Sequence, residues 1–252
     1  MPNSSAPALL WIVRHGESAG NVARDAAEAA GHPIIDIASR DQDVPLSELG
    51  QQQAQALGKF LAELPPGEQP TAALVSPYVR AHDTARIALE AAGLDVPLVL
   101  DERLREREFG VLDRLTRVGI TQQFPDQAEA RARIGKFYHR PPGGESWADV
   151  IFRVRGVIDT VLRDYADGRV LVVAHQVVVL TLRYVIEAWN EAEILAVDRA
   201  AEVANCSITT YRRDDSIERG IPLRLEVYND VRHLAESDAA VTREPDAPAA
   251  PR

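Results

Sequence analysis

Short apolar runs without polar interruption alternate along this chain with longer stretches whose apolar residues recur every three or four positions. Leu9–Val13, Ala72–Val75, Val96–Leu100 and Val170–Ala174 are of the first kind. They are mostly rich in β-branched residues and too short for helices; Leu9–Val13, Ala72–Val75 and Val170–Ala174 read as buried strands and Val96–Leu100 as a further strand candidate. The second kind is clearest in Trp147, Val150, Ile151, Val154, Val157, Ile158, Val161 and Tyr165, which fall on one face of a helix. Further helices are predicted from Ser18 to Ala30, stopped by Gly31-His32-Pro33, and from Pro45 to Leu64, with Ser47 as cap and Pro65-Pro66 as stop. Another follows Ser76-Pro77, with Ser76 as its cap, and a last one runs from Val177 to Ile186. Ser207–Tyr211 and Leu223–Tyr228 alternate apolar with polar positions and predict two more strands, separated by a turn through Asp214-Asp215. Buried strands alternating with amphipathic helices predict a three-layer α/β/α domain around a mainly parallel sheet.

Between these elements the pattern weakens. Residues 34–43 read as an irregular connection that overhangs the strand ends, and 112–137 as helix in pieces, broken at Phe124-Pro125. Residues 1–7 and the alanine-, proline- and charge-rich stretch 236–252 predict disorder, which leaves 8–235 as a single domain.

Composition narrows the partners more than the fold. The chain has 252 residues, 46% of them hydrophobic, and a formal net charge of −10. That balance argues against nucleic acid or an anionic membrane as partner, since both need a basic face. No apolar run approaches the ~20 residues of a membrane helix. The single cysteine, Cys206, precludes an internal disulfide and a multi-cysteine metal site and suits a reducing compartment, so a cytoplasmic location is expected. A homodimer is expected only from the prevalence of twofold assemblies.

The candidate chemistry lies where the strands stop. Leu9–Val13 runs into Arg14-His15-Gly16-Glu17, and Val170–Ala174 runs into His175-Gln176. Ligands of open α/β sheets gather at these carboxyl ends. Arg80 falls in the first turn after Ala72–Val75, and its side chain leans back toward the same rim. A phosphate monoester is a dianion, and guanidinium forks such as Arg14 and Arg80 pair with two of its oxygens at once. A neutral imidazole, with its ordinary pKa of ~6.5, is a competent nucleophile. His15 is therefore read as the nucleophile, and His175, if protonated, as a stabiliser of the transferring group. A carboxylate from Leu104–Gly110, Glu106 or Glu108, would protonate the leaving oxygen and then activate water. This scheme requires no metal and no cofactor, and a metal site of His15, Asp83 and His175 has no supporting spacing. Taken singly, each residue has an ordinary structural role: a hydrogen-bonded histidine, a surface arginine in a weak ion pair, a glutamate in the solvated run Asp101–Glu108. The joint occurrence favours catalysis. His32, His82, His139 and His233 read as structural, with His139 a candidate to line the pocket, and Cys206 reads as a small buried residue at a strand start.

Arg14-His15-Gly16-Glu17 with Asn21, Pro45-Leu46-Ser47 with Gly50, and Ser76-Pro77-Tyr78-Val79-Arg80-Ala81 with Thr84-Ala85 are followed in order by Leu104–Gly110 and His175. Across residues 9–187 this series resembles the motifs of the histidine phosphatase superfamily, the phosphoglycerate-mutase-like enzymes. The resemblance implies a phosphoglycerate mutase-like fold and covalent phosphorylation of His15. It also implies catalytic roles for Arg14, Arg80, Glu106 and His175, with Asn21 and the backbone amide of Gln176 helping to hold phosphate. Matching leucine to leucine and glycine to glycine selects Glu106, with Glu108 as fallback. Gln176, where many members have glycine, is similar to the bisphosphatase half of enzymes acting on fructose 2,6-bisphosphate, a match in too few residues to name a substrate. The stretch 22–44 is longer than in compact members. The leading function is metal-independent hydrolysis of a small phosphorylated substrate. A phosphoglycerate mutase would use the same residues, but the short segment between Gly110 and Gly143 disfavours it. A non-catalytic phospho-ligand module is disfavoured by the presence of every catalytic residue type.

Overall fold

The computed structural model describes residues 6–243; its first four strands fall on the uninterrupted apolar runs, the third of them largely exposed, and the last two on the alternating stretches. β1 (Leu9–Arg14), β2 (Ala72–Val75), β3 (Leu98–Leu100), β4 (Arg169–Ala174), β5 (Ile208–Arg213) and β6 (Leu223–Asp230) form one sheet in the order β3-β2-β4-β1-β5-β6. The first four are mutually parallel; β5 runs antiparallel to β1, and β6 antiparallel to β5. The helices are α1 (Ala19–Ala29), α2 (Glu48–Glu63), α3 (Val79–Ala92), α4 (Arg117–Gln123), α5 (Pro125–Ile134), α6 (Trp147–Asp164), α7 (Gln176–Ile186), α8 (Glu191–Ala200) and α9 (Arg232–Glu236). Of these, α8 and α9 are not announced by the apolar pattern. None is long and apolar enough to cross a membrane.

Side-chain alternation along the strands sorts the core into two halves. Leu10 and Ile12 of β1 and Val170 and Val172 of β4 face α6 and α7, whose Val154, Ile158, Val178 and Leu182 are buried against them. Leu9, Trp11 and Val13, with Leu171 and Val173, face α2 and α3 through Leu57, Leu61, Ala81 and Ala85. Strands covered on both sides have no polar face to show, hence their unbroken hydrophobicity. The result is the expected three-layer α/β/α arrangement.

The register brings three strand ends to one rim. Arg14 lies opposite Ala174, and the His15 amide donates to the Ala174 carbonyl at 2.9 Å. On the other side of β4, the Ser76 amide donates to the Val173 carbonyl at 3.0 Å.

Two sequence expectations need correction. Ser76 does not cap α3, which begins at Val79 with Tyr78 in the cap position and no side-chain cap. Pro77 disfavours helical geometry in the residue before it, so Ser76 extends the strand and its hydroxyl turns elsewhere. The stretch from 236 is packed as far as it is described. Ala239 is buried, the Gln53 side-chain amide donates to the Ala240 carbonyl at 2.8 Å and to the Thr242 hydroxyl at 3.1 Å, and the Asn205 amide donates to the Thr242 carbonyl at 3.0 Å. Likewise Ala6 is buried and its carbonyl accepts from the Asp167 amide at 3.1 Å. The expected disorder at 1–5 and 244–252 lies outside the described residues.

Candidate active site

At the rim formed by β1, β4 and β2 opens a cleft lined in part by Arg14, His15, Asn21, Arg80, Glu106 and Gln176. Strand geometry places the two histidines side by side, with ring centroids 5.1 Å apart and planes at 62°. Both are buried.

Local contacts fix each ring. His15 Nδ1 donates to the Gly16 carbonyl at 2.7 Å, which sets the tautomer and leaves Nε2 as the lone-pair nitrogen. Arg80 Nε donates to that Nε2 at 3.3 Å. The backbone behind His15 is held as well: the Asn205 side-chain amide donates to the His15 carbonyl at 3.1 Å, and the Gly16 amide donates to the Thr84 hydroxyl at 3.0 Å. His175 Nε2 is 2.8 Å from the Ser76 hydroxyl, and its Nδ1 is 3.6 Å from Glu106 Oε2. Burial, then the charges of Arg80 and Arg14, push the His15 imidazolium well below the ordinary histidine range. Burial, then Arg80, His15, Arg153 and Arg14, do the same to His175. Burial and the neighbouring guanidinium groups thus favour the neutral form of both rings, and an anion bound beside His175 would favour its protonation.

The loop after β3 carries Glu106, and α6 holds that loop. Arg153 of α6 donates to the Arg103 carbonyl at 2.6 Å and the Glu106 carbonyl at 3.2 Å, and pairs with Glu145 at 2.9 Å. Burial alone would raise the Glu145 carboxyl, but the hydrogen bonds and charge of Arg153, with the Glu108 amide and Arg105, hold it below the usual carboxylate range. Glu106 faces the cleft and His175. Glu108 instead accepts from the Tyr78 hydroxyl at 3.1 Å and is half exposed. The geometry thus separates the two carboxylates that sequence spacing left as alternatives.

Arg14 is buried and anchored by Nη1 to the Val203 carbonyl at 2.5 Å. Asn21 lines the cleft from α1, with its Oδ1 committed to the Ser18 amide at 2.8 Å and the Ser18 hydroxyl at 2.6 Å in a capping box. Gln176 opens α7, so its backbone amide stands at a helix N-terminus, a favourable place for an anion. Glu17 turns away and accepts from the Ser47 hydroxyl at 2.6 Å, a structural duty. Asp83 pairs with Arg86 at 3.4 Å, and His82 stands beside it at 3.6 Å, so neither joins His15 and His175. Among the described residues no group of three or more His, Cys, Asp or Glu side chains is placed to hold a metal. His139 is buried but outside the cleft lining, and Cys206 is buried just before β5.

Sequence reasoning did not single out Ser76 as a partner of His175, Arg153 as the anchor of the Glu106 loop, or Asp41. The connection at 34–43 does overhang the cleft, as expected, through Ile35, Ile37, Ser39 and Asp41.

Comparison with known proteins agrees with this arrangement. Residues 10–219 match the family model of the histidine phosphatase superfamily, branch 1. The chain is 30% identical over 220 residues to a phosphoglycerate mutase-like protein of Arabidopsis thaliana, covering 79% of this chain and 72% of the relative. It is 33% identical over 171 residues to a 2,3-bisphosphoglycerate-dependent phosphoglycerate mutase of Gloeobacter violaceus, covering 67% and 70%. Among solved structures it resembles Bacillus stearothermophilus YhfR, with TM-score 0.71 and 28% identity over 90% of this chain and 98% of that one. It also resembles a mycobacterial glucosyl-3-phosphoglycerate phosphatase, with TM-score 0.68 and 29% identity over 88% and 99%. The fold is phosphoglycerate mutase-like, and the chain belongs to the histidine phosphatase superfamily.

Proposed function

We propose that this cleft hydrolyses phosphomonoesters by way of a phosphohistidine on His15, without a metal. The observation that carries the reading is the locked His15 tautomer: Nδ1 is spent on the Gly16 carbonyl, and Nε2 presents its lone pair to the cleft between Arg80 and His175. Burial keeps that ring unprotonated and hence nucleophilic at neutral pH.

In the first step Nε2 attacks phosphorus and the bond to the ester oxygen breaks, that oxygen taking its proton from the Glu106 carboxylic acid. In the second, water attacks phosphorus, Glu106 takes the water's proton, and the P–N bond electrons return to Nε2. Arg14, Arg80 and the amide of Gln176 carry the charge on the phosphoryl oxygens. His175, neutral in the empty site, acquires its proton as the dianion enters and then donates to the transferring group.

His15→Ala is expected to lower phosphate release from p-nitrophenyl phosphate by about four orders of magnitude or more while leaving the circular dichroism unchanged. Alkaline quenching followed by mass spectrometry should find phosphate on His15 in the parent protein. Undiminished turnover in the variant would remove the proposal. The names of the mutase relatives favour one alternative, return of the phosphoryl group to substrate. Interconversion of 2- and 3-phosphoglycerate with a bisphosphate primer, at rates exceeding phosphate release, would make the protein a mutase.

A further inference from the structure

The long connection between α1 and α2 makes a contact that the reaction above does not use. Arg80 Nη1 donates to the Asp41 carbonyl at 2.6 Å and lies 3.0 Å from its Oδ1, and Nη2 donates to Oδ2 at 3.3 Å. With Nε on His15, the whole guanidinium fork is engaged. The Arg80 side chain is 6% exposed and that of Asp41 42%, so the carboxylate reaches in from the solvent side, across the cleft mouth. Its loop is tied by Arg114, which also lines the cleft and donates to the Ile37 carbonyl at 3.0 Å and the Ser39 carbonyl at 2.8 Å.

The carboxylate therefore stands where Arg80 would grip a phosphoryl group, and substrate must take its place. Once displaced, it stays tethered by a loop that Arg114 holds at the cleft and lies against whatever the phosphate is esterified to. A displaced carboxylate has lost its hydrogen-bond donors. A hydroxyl on the alcohol part replaces them, whereas a carboxylate there meets like charge in a half-desolvated place, which costs affinity. Asp113 lines the same mouth, and burial together with the charge of Asp41 raises its carboxyl. Arg24 and Arg114 line it too, so the mouth as a whole is mixed in sign, and Asp41 is distinguished by its position at the phosphoryl end.

We propose that Asp41 is a specificity-determining residue. It yields Arg80 to the phosphoryl group and then meets the alcohol part of the ester, favouring phosphomonoesters of neutral, hydroxyl-bearing alcohols over those with a carboxylate beside the phosphate. The proposal rests on the reading of Arg80 as a phosphate ligand.

Glycerol 3-phosphate and 3-phosphoglycerate test it, because they share a skeleton and differ in a hydroxymethyl against a carboxylate. The parent protein is expected to prefer the glycerol ester by about tenfold or more in kcat/KM. In Asp41→Asn the preference should shrink to about twofold, through a lower KM for 3-phosphoglycerate with little change in kcat, whereas Asp41→Glu should keep it. Calorimetric affinities for the same two esters give the ratio independently of turnover. Absence of phosphate release from any ester, p-nitrophenyl phosphate included, would overturn the hydrolase reading while the affinity ratio still decides the role of Asp41. A parent preference for 3-phosphoglycerate, or a ratio that Asp41→Asn leaves unchanged, would overturn the proposal.

Discussion

His175 has a hydroxyl on one ring nitrogen and a carboxylate near the other, and the hydroxyl is what orients the ring. Ser76 Oγ, itself held by the Tyr78 amide at 3.3 Å, makes the hydrogen bond to His175 Nε2 at 2.8 Å, which leaves Nδ1 turned toward Glu106. Ser76→Ala should therefore lower kcat by about tenfold, the order of one buried hydrogen bond, while leaving KM nearly unchanged. Ser76→Thr, if its methyl is accommodated, should recover much of the loss. An unchanged kcat in the alanine variant would show that the ring is held by packing alone. At this scale the sequence is informative where a residue has a fixed place on a predicted element. His15, His175 and Arg80 each follow a buried strand, and strand ends meet at a rim whichever strands are neighbours. It is less informative where a role depends on which strand lies alongside: Ser76 faces His175 only because β2 borders β4, and nothing in Ser76-Pro77 encodes that adjacency. Asp41 is harder still, since an irregular loop has no periodicity from which to read where a carboxylate lands.

The loop after β1 is shaped by its contact with α2. A methyl group built on Gly50 would overlap the Glu17 carbonyl oxygen, and one on Gly16 would stand 2.6 Å from the Gly50 carbonyl oxygen. Two glycines let the first turn of α2 press directly on the chain that carries His15. Gly50→Ala is expected to destabilise the fold by about 1–3 kcal/mol in urea titrations. Activity measured well below the transition should fall further than stability explains, because the relief of the clash moves His15. Retention of full activity would mean that α2 shifts and the loop does not. The helices most legible in the sequence were those with a wide apolar face, α6 above all, whose buried residues are the ones that the heptad-like spacing picks out. α8 buries only Ile194, so its periodicity is faint, although its capping box of Asn190 and Glu193 is a local signal that spacing of apolar residues ignores.

Across the whole molecule, buried neutral histidines set the response to acid. His15 and His175 are held well below the ordinary range, and burial, only partly countered by Asp230 and the Cys206 backbone, lowers His233 to about 4. Their folded-state pKa values lie below the unfolded value of ~6.5, so as pH falls the unfolded chain binds protons that the folded one refuses. Stability is thus expected to be full above about pH 6.5 and to decline toward pH 4, by up to about 1.4 kcal/mol per pH unit for each histidine. Urea unfolding at several pH values checks the slope, and His233→Phe, set against Phe60 in the α2 layer, should remove about one proton from it. A stability independent of pH over that interval would contradict the burial argument. Sheet content and layer order were legible because alternation and run length report burial, whereas the packing of residues 237–243 was not, since composition cannot distinguish a loose end from one that other segments grasp. That last grasp has a temporal meaning. The carbonyl of His15 receives its bond from Asn205, 190 positions downstream, and Gln53, which accepts from the Glu17 amide, also holds residues 240 and 242. A nascent chain shows its histidine signature long before residues 205–242 emerge to complete the backbone around it, so the machinery matures well after its most recognisable part has been made.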